Sequence, residues 1–201
     1  MGLVVLLVMI LYFVLLVGAT IATYYIAKKH GWPARWRQLA ATGTFLVIFL
    51  PVFWDWLPTV WLHSYYCEKY AGLSVYKTPE QWRLANPGVA ETLVRLRPAQ
   101  QVGYGNTYYF QLNQRFRWEL SNSSVGFFLV QHTERLVDGS TGEVLVRFLD
   151  FSTGLGSLSP TEFRDYKFWM TRISCEPEGN RVARAKFNES RLMFQSLGSN
   201  Q

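Results

Sequence analysis

The chain of 201 residues opens with an apolar run that contains no charged residue from position 3 to position 27. About 20 apolar residues in a helix span the roughly 30 Å hydrocarbon core of a bilayer. Tyr24 and Tyr25 stand near the end of the run, where aromatic side chains favour the level of the lipid headgroups. A cleaved signal peptide would need a basic start and a shorter apolar core. The run therefore predicts a retained transmembrane helix over residues 3–27.

A second apolar run predicts a second transmembrane helix over about residues 39–61. Its one charged side chain is that of Asp55, and Pro51 marks a kink or the approach to the helix end, because proline lacks a backbone donor. We expect Asp55 to lie at the membrane interface among tryptophans. The alternative is an acid inside the membrane, which is by default a functional residue. The neighbouring tryptophans are Trp54, Trp56 and Trp61.

The loop between the two runs, residues 28–38, carries four cations: Lys28, Lys29, Arg35 and Arg37. Short loops rich in lysine and arginine stay in the cytoplasm. This loop therefore predicts a transmembrane helical hairpin over residues 1–62 with both chain termini outside. Residues 63–201 then form a periplasmic domain on a bacterial inner membrane, in contact with the lipid bilayer.

The positive net charge does not indicate a nucleic-acid partner. The formal net charge is +6, and the loop alone supplies four of the cations. Residues 62–201 hold 16 basic and 13 acidic side chains, so the charge is not concentrated on the folded domain. A nucleic-acid-binding protein would concentrate it there.

The sequence predicts that the periplasmic part is an α+β domain. Thr78, Pro79 and Gln81 predict a helix start with a capping box. Apolar residues at even positions predict one half-buried strand over residues 108–120. A turn at Asn122 and Ser123, strands over residues 125–137 and 143–151, and the turn residues 138–142 complete an antiparallel β-meander. We further expect a short helix over residues 159–169, a fourth strand over 170–173, and a strand or short helix from Asn180.

Cys67 and Cys175 are the only two cysteines. On the predicted topology both lie in an oxidising compartment, which favours a disulfide between them. Such a bond would close a loop of about a hundred residues and stabilise the fold by roughly 4–5 kcal/mol. Two free buried thiols, or one catalytic thiol, are the alternatives.

The sequence predicts no catalytic, cofactor-binding or metal-binding residue. His63 and Cys67 would share a helix face, but a metal site needs three or four such ligands. A nucleophile pair of His132 with Cys67 fails if that cysteine is oxidised. No G-x-S-x-G motif is present. The acid pairs Asp138/Glu143 and Glu162/Asp165 are best explained as turn and helix-start residues.

Aromatic residues crowd the predicted membrane exit. One interpretation is an interfacial belt at the base of the domain; the other is a docking surface, since Trp and Tyr dominate interface hot spots. The candidates for either role are Trp54, Asp55, Trp56, Trp61, Tyr65 and Tyr66.

A set of short motifs lies around the predicted membrane exit. The motifs are W-D-W-L-P-T at residues 54–59, Y-C-E-K at 66–69, V-Y-K-T at 75–78 and Q-W at 81–82. The set resembles a pattern in small proteobacterial membrane proteins. The similarity covers about thirty residues. That family has no assigned reaction, so the resemblance implies a bacterial inner-membrane setting and includes Cys67 in the pattern.

We therefore expect a non-enzymatic protein that interacts with another envelope protein or with its own copies. Its role would be that of an accessory subunit of an envelope complex, or of an exclusion or immunity factor. The first alternative is a periplasmic sensor or a module that binds a small ligand or lipid in an apolar pocket lined by the strands at 108–120 and 125–137. A thiol-dependent envelope enzyme is the second.

Overall fold

A computed structural model describes residues 2–126, 128–153, 170–171, 174–175 and 178–197. The protein is α+β, with apolar helices at the N-terminus and an antiparallel sheet beyond them. Two compact units are present: Met1–Pro58, and a second unit that begins at Thr59. The helix predicted over residues 159–169, and residues 172–173 of the predicted fourth strand, lie outside the described residues.

The first unit contains two helices, α1 (Gly2–Lys29) and α2 (Ala34–Phe53), which lie side by side. Both are long and apolar enough to cross a membrane. The Tyr12 hydroxyl donates a hydrogen bond to the carbonyl of Ile48 at 2.8 Å, and the Thr44 hydroxyl donates one to the hydroxyl of Thr23 at 3.1 Å. These polar contacts join the two helices where apolar packing alone gives little specificity.

The second helix ends earlier than the predicted position 61. A turn at Trp54 and Asp55 separates α2 from a third helix, α3 (Trp56–Tyr70). Pro51 lies in the last turn of α2, and Pro58 lies in the first turn of α3, where proline is tolerated because the missing N–H has no partner there. The pair of prolines thus brackets the break.

After α3 the chain forms strand β1 (Gly72–Val75) and helix α4 (Pro79–Ala85). The predicted capping box is confirmed. The Thr78 side chain accepts from the backbone N–H of Gln81 at 3.3 Å, and the Gln81 side chain accepts from the N–H of Thr78 at 2.9 Å. A short 3₁₀ turn, Ala90–Thr92, follows.

The remaining strands are β2 (Arg95–Val102), β3 (Thr107–Asn113), β4 (Phe116–Gly126), β5 (Leu129–Asp138) and β6 (Val144–Thr153). They form one antiparallel sheet with the order β1-β6-β5-β4-β3-β2. The predicted meander is confirmed as its centre. The edge strands β1 and β2 were not predicted.

The prediction of a single strand over residues 108–120 is wrong, because these residues form a hairpin of β3 and β4. Asn113 accepts from the backbone N–H groups of Arg115 and Phe116 at 3.0 and 2.8 Å, which turns the chain. Tyr108 pairs with Leu120 across the hairpin, so even positions keep one face on both strands. The turn predicted at Asn122 and Ser123 is also wrong, since both lie inside β4.

Helix α5 (Glu178–Ser196) covers the face of the sheet that holds the even positions of β4. Where a strand or short helix was expected, the chain forms a helix of 19 residues. The ring of Phe194 packs edge-on against that of Phe116, with 5.0 Å between centroids, and Phe187 packs against Phe148 at 6.1 Å. These phenylalanines, all buried, form the main core.

Candidate functional site

A polar cavity of about 640 Å³ lies in the second unit, beside the N-terminal half of α5. Its floor is built by strand register. Asn122 on β4 pairs with His132 on β5, and His132 pairs with Asp150 on β6. The next row along the sheet is Tyr108, Leu120 and Glu134. Cross-strand partners share a face of the sheet, so these six side chains converge on one floor.

His132 occupies the middle of this floor and is held on both ring nitrogens. Nδ1 lies 2.8 Å from Oδ1 of Asn122, and Nε2 lies 2.6 Å from Oγ of Ser152. Burial lowers the pKa of His132, and the nearby Asp150 raises it less than burial lowers it. The ring is therefore neutral at pH 7, with Nδ1–H donating to the amide oxygen of Asn122 and Nε2 accepting from the serine hydroxyl.

The contacts of Ser152, His132 and Asn122 resemble a nucleophile, a base and an orienting group. Ser152, however, is not among the residues that line the cavity. The contacts therefore fix the ring and its tautomer, and we assign them that positioning role.

The two acidic residues of the floor, Glu134 and Asp150, are both buried, with 6% of each residue exposed. Glu134 pairs with the guanidinium of Arg184 at 2.9 Å and accepts from the indole N–H of Trp118 at 3.0 Å. Asp150 accepts from the backbone N–H of Cys175 at 2.9 Å and from the side chain of Asn180 at 3.1 Å. Buried acids need such partners to remain charged.

Helix α5 and the segment before it supply the wall. Asn180 also donates to the carbonyl of Cys175 at 3.1 Å, so helix, segment and β6 are joined through these hydrogen bonds. Arg181 and Arg184 are three residues apart on α5 and both line the cavity. Arg181 is exposed and makes no hydrogen bond or ion pair with another described residue.

A disulfide joins the wall of the cavity to helix α3, because Cys175 lines the cavity and is bonded to Cys67. Cys67 on α3 and Cys175 are at disulfide distance, with Cα atoms 5.5 Å apart, as the cysteine count and compartment predicted. Cys175 also belongs to a small buried cluster with Leu129 and Phe151. The bond therefore connects α3 to the segment that lines the cavity.

One group of possible metal ligands is present among the described residues. His63, Cys67 and Cys175 place a ligand atom each within 4.8 Å of the others. Nε2 of His63 also lies 3.2 Å from the carbonyl of Phe151. A metal would need the cysteines as thiolates, and the disulfide occupies both sulfurs.

The other predicted site residues lie outside the cavity. The Asp55 side chain is buried, with 2% exposed, whereas the tryptophans that flank it in sequence are exposed. On α3, Tyr65 is exposed and Tyr66 packs against the ring of Phe151 at 5.3 Å. The exposed tryptophans are Trp54, Trp56 and Trp61. The four loop cations, Lys28, Lys29, Arg35 and Arg37, lie at the end of α1 and the start of α2.

The acids Asp138 and Glu143 have different partners. Asp138 is buried among hydrogen-bond donors, while Glu143 forms an ion pair with Lys77 at 2.6 Å. The pair Glu162/Asp165 lies outside the described residues. His132 contacts Asn122, and the sulfur of Cys67 is bonded to Cys175, so the thiol-dependent alternative does not form a His132–Cys67 pair.

Sequence reasoning missed most of the cavity. Glu134, Asp150, Asn180 and Arg184 come from three elements whose alignment depends on strand register and on where α5 packs. One signal in the sequence could have indicated the cavity. His132 and Glu134 are polar and occupy even positions of a predicted strand, whereas the even positions of the preceding predicted strand are mostly apolar.

Comparison with known proteins adds no relative. No protein-family model matches the chain, no curated protein matches it, and no solved structure matches it.

Proposed function

We propose that this protein is a membrane-anchored binding module of the bacterial inner membrane, which holds a small polar ligand in the cavity of its extracytoplasmic domain. The observation that carries the proposal is the cavity itself, lined by Asn122, His132, Glu134 and Asp150 from the sheet and by Arg181 from α5. Ligand sites of proteins are typically of roughly 300–1,000 Å³ with a few polar groups held in place. The function is binding, and we propose no reaction.

The floor is preorganised for binding. Three of its polar groups already have partners that fix their direction: Asn122 and Ser152 hold His132, Trp118 holds Glu134, and the backbone N–H of Cys175 holds Asp150. A site whose side chains are fixed before binding loses little conformational entropy when the ligand arrives. The cavity lies between the strands where an apolar pocket is expected, and it combines apolar surface, including that of Tyr108 and Leu120, with polar side chains.

The anchor and its orientation rest on the first unit. Helices α1 and α2 are each long and apolar enough to cross a bilayer. The cations Lys28, Lys29, Arg35 and Arg37 flank the connection between them, and such connections are kept in the cytoplasm. The disulfide of Cys67 with Cys175 supports the same orientation, since disulfides persist in oxidising compartments.

A cavity-filling variant tests the binding function. The full chain is purified in mild detergent, incubated with a small-molecule extract of bacterial cells, desalted and examined by native mass spectrometry. Leu120→Trp places an indole in the cavity, while Leu192→Trp adds the same group at an exposed position of α5. We expect a discrete bound mass on the wild type and on Leu192→Trp, and its loss from Leu120→Trp. Equal retention by Leu120→Trp, or no bound mass on the wild type, contradicts the proposal.

A second candidate, an accessory subunit of an envelope complex, is favoured by the exposed aromatic side of α3. Trp61 and Tyr65 stack with 5.9 Å between their rings, and Tyr70 lies further along the same helix, also exposed. Clusters of Trp and Tyr are typical of protein interfaces. A photo-crosslinking amino acid at position 61 should capture one discrete membrane protein, and the same label at the exposed position of Leu84 should not. Adducts with lipid alone would contradict this candidate.

A further inference from the structure

We infer that the ligand of the cavity carries an anionic group, a phosphate or a carboxylate, which binds between Arg181 and Arg184, with an apolar or aromatic portion against Tyr108 and Leu120. This rests on the proposed function and names the chemical class of its ligand. It follows from how the charged groups around the cavity are already paired.

The negative groups are buried, and most of their acceptor positions are already occupied by donors of the protein. Asp150 is buried and accepts hydrogen bonds on Oδ1 from the backbone N–H groups of Phe151 and Cys175 and from the Asn180 side chain. Glu134 is buried as well and is neutralised by Arg184 at 2.9 Å. A cationic ligand on Glu134 or on Oδ1 of Asp150 would have to displace these donors, and each displacement would leave a buried polar group without its partner.

The positive groups are accessible. Arg181 is exposed, lines the cavity and forms no ion pair with any residue in the described part of the chain. Arg184 is half-exposed: its Nη2 contacts Glu134, and its guanidinium carbon lies 5.3 Å from the ring centre of Phe148. A guanidinium has five N–H donors, so Arg184 retains donors beyond that one contact. Two guanidiniums three residues apart on a helix suit a planar or tetrahedral oxyanion.

The remaining lining explains the second part of the ligand. Leu120 and the ring of Tyr108 pair across the β3–β4 hairpin and form the less polar end of the floor. His132 is neutral and held by Asn122 and Ser152, so it adds no charge at pH 7. The two further cations on α5, Lys186 and Arg191, do not line the cavity, and Arg191 lies over the ring of Trp118 at 4.2 Å. The accessible charge of the site is thus positive.

Phenyl phosphate is a suitable probe because it joins an aromatic ring to a phosphate. We would measure its binding to the full chain in detergent micelles by isothermal titration calorimetry, with benzylammonium as the probe of opposite charge. We expect phenyl phosphate to bind and benzylammonium not to bind. Arg181→Gln should weaken phenyl phosphate binding about tenfold, as expected for one lost charge-assisted contact. Lys186→Gln removes an exposed cation of the same helix that does not line the cavity, and it should leave the affinity unchanged within twofold.

Stronger binding of benzylammonium, or equal weakening by Arg181→Gln and Lys186→Gln, would overturn the inference. If Leu120→Trp abolishes binding of a ligand from the cell extract while phenyl phosphate fails to bind, the anionic class is wrong and the binding function stands. Competition then identifies the source of the anion. Displacement by inorganic phosphate indicates a free solute, and displacement by micelles of phosphatidylglycerol but not of phosphatidylcholine indicates a lipid headgroup.

Discussion

Replacing Asp138 by asparagine tests how the core of the second unit uses a buried charge. The carboxylate is 1% exposed. Oδ1 accepts from Nε of Arg115 at 2.7 Å and from the backbone N–H and hydroxyl of Ser140 at 3.0 and 2.8 Å, and Oδ2 accepts from the indole N–H of Trp82 at 2.9 Å. Burial raises the pKa of Asp138, but the hydrogen bonds from Arg115, Trp82 and Ser140 together lower it to about 2.

The size of the effect follows from that pKa. An unfolded aspartate has a pKa of about 3.9, so a folded value of about 2 corresponds to about 2.5 kcal/mol of stability at neutral pH. Because the folded pKa is the lower one, this stability is present above about pH 4 and is lost as the pH falls through about 2. Asp138→Asn removes the charge and also directs an amide N–H₂ towards one of the existing donors. We expect Asp138→Asn to lower the melting temperature by roughly 5–10 °C at pH 7.

The assay is thermal unfolding of the full chain in detergent, followed by near-ultraviolet circular dichroism at pH 7, 4 and 2.5. The difference between wild type and Asp138→Asn should shrink from pH 4 to pH 2.5, because the aspartate of the unfolded wild type is then protonated while the folded one, with its pKa of about 2, is still mostly ionised. Glu189→Gln, an exposed acid on α5, is the control and should change stability by less than about 0.5 kcal/mol. A difference between Asp138→Asn and wild type that stays constant with pH would refute the reasoning.

Three further changes should alter stability through separate contacts. Reduction of the bond between Cys67 and Cys175 releases a loop of 108 residues and should lower the free energy of unfolding by about 4–5 kcal/mol. The melting temperature should fall, and two thiols should become available for labelling. An unchanged melting temperature after complete labelling would contradict this. Thr78→Ala removes the side chain that caps α4 and should cost about 1 kcal/mol in the same melt. The control Thr107→Ala, at an exposed position of β3, should be nearly neutral. Phe187→Ala empties part of the core under α5 and should cost about 3–5 kcal/mol; a loss below 1 kcal/mol would mean that α5 does not pack as described.

The sequence predicted the faces of the sheet better than its strands. The even positions from Tyr108 to Leu120 do share one face, although the chain reverses at Gln114 and Arg115. Partners across this hairpin, such as Tyr108 and Leu120, are both even or both odd in number, so the alternation of faces continues through the turn. The signal that was overlooked is Asn113, whose side chain accepts from two backbone N–H groups and starts the turn.

The prediction for α5 was ambiguous for a different reason. Arginines that alternate with apolar residues between positions 181 and 187 suggested a strand as readily as a helix. The spacing of Ala183, Phe187 and Phe194 places them on one face of a helix, and all three contact the core. A longer window would have favoured the helix, because its apolar face only becomes evident over several turns.

The cavity could not be predicted from local patterns. Its acids, Glu134 and Asp150, stand on neighbouring strands, and their partners Arg184 and Asn180 stand on a helix that follows much later in the chain. Only the register of β5 with β6 and the packing of α5 bring them together. The disulfide could be predicted because it does not depend on strand register or helix packing: two cysteines allow only one pairing.

The sidedness of the second unit is the claim on which the anchor, the disulfide and the ligand site all depend. Alkaline phosphatase, which is active only after export, should be fused after Gln201 and expressed in the bacterial inner membrane, with green fluorescent protein at the same position as the complementary reporter. The cluster of Lys28, Lys29, Arg35 and Arg37 predicts an active phosphatase and a dark fluorescent fusion. A fluorescent fusion with an inactive phosphatase would contradict the account.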